Sequence, residues 1–184
     1  MSRSIVITGM GWITPLGHDI ETVWRRMLRG ASGVAQTSIF DARTFPTSFS
    51  GEVKGFSLAA FLGEDAHKHD GASRNSQFAL AAAALAWKDA GLASFPMIDP
   101  TRVGLYLGGG EGPIDFDHFA EAALAGCRND RGETTPLDAV RWAHTARKVL
   151  SAAHELEQDP NLACGHLAVQ FNAQGPSFNT LTAG

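Results

Sequence analysis

Three short runs of this chain have strand composition and carry no charge: Ile5-Val6-Ile7-Thr8, Val103 to Leu107 and Phe178 to Leu181. A strand without a charged face is stable only when covered on both sides, and long stretches of helical composition separate the runs. This alternation predicts an α/β fold with a buried parallel sheet. Three such strands leave sheet edges and helix faces bare, so the sheet is expected to be completed by further polypeptide. The last run opens with the turn signal Gly175-Pro176 and leads into Thr182-Ala183-Gly184, which reads as a strand-to-helix elbow.

Between the strands the pattern is helical. Asp19 is placed to cap a helix over 20–29 with Ile20, Val23, Trp24, Met27 and Leu28 on one face, and Gly30 ends it. Residues 31–62 read as irregular, with Phe40, Phe45, Phe49, Phe56 and Phe61 tethering a long loop to the core. Residues 73–90 form the clearest helix, alanine-rich and stopped by Gly91. Further helices are predicted over 114–125, over 136–157 behind Thr135-Pro136, and from Asn161 to Ala173, with Gly175 as the last stop.

The 184 residues suffice for one domain with a core. A net charge of −4, from 15 basic and 19 acidic residues, argues against nucleic-acid binding, which needs a basic stripe. Arg25, Arg26 and Arg29 form a small basic patch, read as a solvated helix face or as a dock for an acidic partner. No apolar run nears the roughly 20 residues that span a membrane. The two cysteines, Cys127 and Cys164, fit neither a zinc nor a disulfide pattern and point to a reducing cytoplasm.

Several motifs invite chemistry and are better read as structure. Gly9-Met10-Gly11 lacks the third glycine of a dinucleotide fingerprint, since position 14 is Thr14 and Pro15 follows. Gly108-Gly109-Gly110-Glu111-Gly112 has no following Lys-Ser or Lys-Thr, so it is no P-loop; an anion nest and a tight backbone turn both stay open. His67, Lys68, His69 and Asp70 read as exposed loop residues rather than metal ligands, as do Asp115, Asp117 and His118. Cys127 reads as an incidental thiol beside Arg128, Cys164 as a packing residue, and His166 as a structural histidine with its hydrogen bonds satisfied. No metal and no cofactor is expected.

Taken in order, several stretches resemble the β-ketoacyl-acyl carrier protein synthases, the condensing enzymes of fatty-acid and polyketide synthesis. They are Ile5 to Gly11 with Thr14-Pro15-Leu16-Gly17; Trp24 and Leu28 to Val34; Phe40-Asp41; Gly51-Glu52-Val53; Asp89-Ala90-Gly91-Leu92; and Arg102-Val103-Gly104. Pro160-Asn161, Ala163, Gly165-His166-Leu167 and Gly175-Pro176-Ser177 then lead into the elbow. Each piece is weak alone; the set covers nearly the whole chain. The resemblance implies the N-terminal part of a thiolase-like fold over 1–184, completed by a second chain or by the missing C-terminal half. Residues 113–160 exceed the usual stretch, with Asp138 to Glu157 resembling an inserted helix.

In the family the elbow reads Thr-Ala-Cys, and the resemblance places Gly184 at the cysteine. The catalytic set is then empty: the nucleophile is gone, and the two histidines of the second half lie beyond this sequence. Gly110, Glu111, Thr182, Ala183 and Gly184 correspond to the acyl pocket and elbow. Glu111 stands where the family has an apolar residue; a polar channel and a loop turned to solvent both remain open. The implied function is a chain-length-factor-like subunit that pairs with an active ketosynthase and meets acyl carrier protein. The alternatives are an active synthase split or cleaved at the elbow, its second half a separate polypeptide, and a non-catalytic scaffold. The end at Gly184 is read as a fragment boundary, a gene split or backbone cleavage.

Overall fold

The computed structural model describes residues 4–95, 97–110 and 112–181. These described residues fall into two compact units, the first drawn from within 1–68 and 78–99, the second from within 69–77 and 100–184.

In the first unit, helix α1 spans Ile20–Leu28, and the Asp19 carboxylate accepts the Thr22 N–H at 2.8 Å, as a capping aspartate should. Val23, on its inward face, is 2% exposed. Strands β1 (Val34–Gln36) and β2 (Phe49–Gly51) pair antiparallel, Ala35 opposite Ser50, within the stretch expected to be irregular. Such short strands carry too few residues for a period to show. Helix α2 (Ala59–Leu62) follows. Phe56 stacks on Phe61 at 5.6 Å and meets Phe78 edge-on at 4.9 Å, so these two do anchor the loop. Phe40, Phe45 and Phe49 instead stay more than half exposed. Ile5-Val6-Ile7-Thr8, expected as a strand, joins no ladder among the described residues, and Ile7 is 84% exposed.

Helix α3 (Arg74–Asp89) is as predicted, with Leu80 and Ala81 fully buried and Gly91 at φ +69° behind it. Gly9 and Gly11 lie against its backbone. A Cβ on Gly9 would meet the Ala86 carbonyl and sit 2.6 Å from the Ala90 nitrogen. One on Gly11 would meet the Ala82 carbonyl and come within 2.7 Å of the Leu85 Cβ. The glycines serve close packing of chain on helix, which removes the dinucleotide reading.

In the second unit, strands β3 (Leu105–Gly109) and β4 (Ser177–Leu181) pair in parallel, Leu105 opposite Ser177 and Gly109 opposite Leu181. The crossover between them carries four helices: α4 (Phe116–Gly126), α5 (Ala139–Val149), α6 (Ala152–Leu156) and α7 (Leu162–Phe171). Helices α4 and α5 form a tight hairpin. A Cβ on Gly126 would lie 2.9 Å from that of Trp142, and the Asp138 N–H donates to the Gly126 carbonyl at 2.9 Å. The single helix expected over 136–157 is two. Asp138, not Thr135-Pro136, caps α5 by accepting the Val140 and Arg141 N–H groups. Leu150 and Ser151 then turn extended and start α6 afresh. Helix α7 stops at Phe171, two residues before the Ala173 expected, because Asn172 at φ +48° tolerates the left-handed region and caps it ahead of Gly175. The buried residues here include Ala122, Ala146, Cys164 and Leu167.

Candidate functional site

Parallel pairing brings the C-terminal ends of β3 and β4 side by side, the end at which open α/β sheets bind their ligands. The glycine run continues from β3 into Gly110, and a Cβ there would meet nothing within 4 Å. Glu111, Thr182, Ala183 and Gly184 lie outside the described residues. Of the five positions assigned to pocket and elbow, only Gly110 is therefore placed.

Beyond that run, Gly112 closes on the segment after α6. Its N–H donates to the Gln158 carbonyl at 3.2 Å, and a Cβ would strike the Glu157 carbonyl. Gly112, Ile114, Gln158, Asp159, Pro160 and Leu181 line an open cleft of about 530 Å³ at this end of the sheet. Asn179, in the middle of β4, donates to the Pro160 carbonyl at 2.6 Å. Its Oδ1 is buried without a hydrogen-bond partner among the described residues. Cys164 approaches the Phe178 carbonyl at 3.9 Å and packs α7 beneath β4.

Next to this end lies a buried polar cluster. Glu157 Oε2 accepts the Ser73 N–H at 2.7 Å and the Ser76 hydroxyl at 3.2 Å. Its Oε1 is 2.9 Å from His166 Nε2. His166 Nδ1 is 2.9 Å from His69 Nδ1, and His69 Nε2 is 2.9 Å from Gln170 Oε1. Burial pushes the Glu157 carboxyl up, but the Ser73 N–H, His166 and the Ser73 hydroxyl together hold it below the ordinary carboxylate range. Both ring nitrogens of His166 are engaged. His69 is 2% exposed and partnered, not the exposed loop residue its polar neighbours suggested. No local signal could have paired it: its partners lie 97 and 101 residues away. Glu157, which the sequence reading left at the end of a helix, was missed for the same reason.

Asp115 gathers a second, open cluster. Its Oδ2 is 2.7 Å from His118 Nδ1 and 3.4 Å from His154 Nδ1. The His118 hydrogen bond holds the Asp115 carboxyl below its usual range, and Asp115 in turn raises His118. Asp115, His154 and Glu157 share a cleft of about 240 Å³ with Ser73, Pro113 and Ile114. Among the described residues no three His, Cys, Asp or Glu side chains are arranged to hold a metal ion, and no helix is long and apolar enough to cross a membrane. In the first unit, Arg25 pairs with Glu21 at 2.6 Å and Arg26 donates to the Leu16 carbonyl at 2.7 Å. Two of the three arginines in the basic patch are thus engaged within the unit.

Residues 2–184 match the family described as "Beta-ketoacyl synthase, N-terminal domain". The chain is 36% identical over 182 residues to 3-oxoacyl-(acyl-carrier-protein) synthase 2 of Vibrio harveyi, covering 98% of this chain and 39% of that relative. The ishigamide ketosynthase/chain length factor superposes with a TM-score of 0.69 at 20% identity, over 96% of this chain and 39% of that one. A type II PKS acyl-carrier protein in complex with its ketosynthase, bound to the hexaketide, matches with a TM-score of 0.66 at 18% identity, over 96% of this chain and 42% of that one. These structural likenesses establish the thiolase-like fold, of which this chain supplies the N-terminal part. The chain spans about two fifths of the length of the curated relative. With its parallel β3–β4 pair, its glycine-rich turn and a family match across nearly every residue, the chain belongs to the β-ketoacyl synthase family.

Proposed function

We propose that this chain is part of a ketosynthase-family subunit of a fatty-acid or polyketide elongation system, of the chain-length-factor kind. Such a subunit pairs with an active ketosynthase-like partner, meets acyl carrier protein, and shapes the product channel without itself being acylated. What carries this reading is Gly184, a glycine that the resemblance aligns with the cysteine of the family's elbow. Acyl transfer onto an enzyme needs a nucleophile, and in this chemistry that is a thiolate activated at a helix N-terminus. Glycine offers no side chain to acylate. Neither described thiol replaces it: Cys164 is buried under β4, and Cys127 caps the far end of α4. The partner classes are supported by the ketosynthase/chain length factor and carrier-protein complexes among the solved structures.

Helices α4 to α6 are, on this reading, an inserted helical segment within residues 113–160 that widens the crossover between β3 and β4. The unpaired thiols Cys127 and Cys164 suit a reducing compartment such as the cytoplasm. The test is intact-mass analysis of the purified assembly after incubation with an acyl carrier thioester. The expected acyl adduct is on the ketosynthase partner alone. An adduct on the polypeptide that contains Gly184 would overturn the proposal in favour of an active synthase.

A further inference from the structure

We infer that Glu157 is a partition that limits the length of acyl chain this subunit accommodates, its carboxylate holding residues 157–160 in place as the wall between two clefts. The inference rests on the function proposed above, because it takes the cleft beside β4 as part of the product channel.

The two clefts meet at this wall. The larger, of about 530 Å³, is lined by Gly112, Gln158, Pro160 and Leu181 among others. The smaller, of about 240 Å³, is lined by Ser73, Asp115, His154 and Glu157, and Ile114 lines both. Glu157 and Gln158 are consecutive, yet one faces the smaller cleft and the other the larger. They fall between the end of α6 at Leu156 and the start of α7 at Leu162, so no helix or strand fixes their place.

Three ties do so instead. The Gly112 N–H donates to the Gln158 carbonyl at 3.2 Å, and Gly112 has no Cβ to strike the Glu157 carbonyl. The Asn179 amide donates to the Pro160 carbonyl at 2.6 Å. These two hold the wall from the side of the larger cleft. The third is the Glu157 carboxylate, which holds it from behind: it accepts the Ser73 N–H at 2.7 Å and the Ser76 hydroxyl at 3.2 Å, and lies 2.9 Å from His166 Nε2 on α7. Burial opposes its ionisation, but the Ser73 N–H and the other partners outweigh it and hold the carboxyl below its ordinary range. An alkyl chain growing along the larger cleft therefore ends against a buried charge that is costly to displace. Truncation of this side chain strands the Ser73 N–H and removes what separates the clefts, so the larger gains the space of the smaller.

The test sizes products. The purified assembly is supplied with acetyl and malonyl thioesters of its carrier protein, and the products are weighed by mass spectrometry. Glu157→Ala is expected to shift the distribution to longer chains by at least one extender unit. Glu157→Gln keeps an oxygen for the Ser73 N–H and the Ser76 hydroxyl and is expected to keep the wild-type length. Asn172→Ala, which disturbs the far end of α7 and not the wall, is expected to leave the length unchanged. A shift in Asn172→Ala, or none in Glu157→Ala, overturns the partition. Should Glu157→Ala fail to assemble, Gly112→Ala decides, since its Cβ presses on the Glu157 carbonyl from the other side. Longer products support the partition, and wild-type products sink it. The longest saturated acyl-pantetheine that the assembly binds in calorimetry reads the same limit without turnover. The chain-length-factor reading is tested separately, by the position of the acyl adduct. An adduct on the polypeptide that contains Gly184 would sink that reading and leave the length test standing, because an active synthase also has to hold its chain.

Discussion

Glu52 shows how much a single side chain organises in this fold. It is 8% exposed, and its carboxylate is ringed by donors. The Ser38 hydroxyl and N–H each donate at 2.6 Å, and the Ile39 N–H and Ser50 hydroxyl each at 3.3 Å. The Ser38 hydroxyl first, then the Ser38 N–H, lower its pKa from 4.5 to about 2, with burial opposing. A group depressed on folding stabilises the native state fully above its unfolded pKa and loses that contribution as pH falls through the folded one. The window is therefore from 4.5 down to about 2. Glu52→Gln is expected to lower the urea midpoint at neutral pH and to flatten its decline through that window; a decline as steep as wild type would contradict the assignment. Gly11 makes the complementary point about space. Gly11→Ala is expected to destabilise by about 1–3 kcal/mol through overpacking on α3. Gly108→Ala, whose Cβ would meet nothing within 4 Å, is the control and is expected to do far less. Equal urea midpoints for the two variants would refute the packing role.

At the scale of elements, what was legible is what is local. Helix α1 was readable because its cap, apolar stripe and stop lie within a dozen residues, and α3 because its alanine run is continuous. The break at Leu150 and Ser151 was not readable: neither residue is a helix breaker, and the helical pattern runs through both. Ile5 to Thr8 has strand composition, but pairing depends on a neighbour, which composition does not reveal. The buried cluster was illegible for the same reason, since Ser73 and Glu157 lie 84 residues apart. The end of α7 was misread because Gly175 is the commoner stop, while Asn172 takes the left-handed residue three positions earlier. Its oxygen also accepts from Gln174 Nε2 at 2.8 Å. Asn172→Ala is expected to lower stability by about 1 kcal/mol, because alanine lacks the short polar side chain that lets asparagine tolerate left-handed backbone. Asn172→Gly is expected to stay within about 0.5 kcal/mol of wild type. Thermal or urea midpoints that rank alanine with glycine would show that α7 ends by packing and not by its cap.

For the whole molecule, exposure is the governing observation. Ile5, Val6 and Ile7 are 100%, 70% and 84% exposed in the first unit, and Tyr106 and Phe178 are 81% and 59% exposed on the sheet of the second. A parallel pair of strands normally has both faces covered, and a two-stranded sheet is rarely stable on its own. Bare strands of this kind also template association. The fold family accounts for the deficit, because its members continue for well over as many residues again as this chain provides. Residues 1–184 expressed alone are therefore expected to bind a hydrophobic dye strongly and to sediment as mixed oligomers. Adding a polypeptide that corresponds to the remaining length of the relatives is expected to suppress the dye signal and give one species of defined mass. Hydrogen exchange would locate the cover, with new protection on Ile5 to Thr8 and on β3 and β4. A chain that alone sediments as a dye-silent monomer would mean that these surfaces are covered from within, and that the sheet needs no further strands.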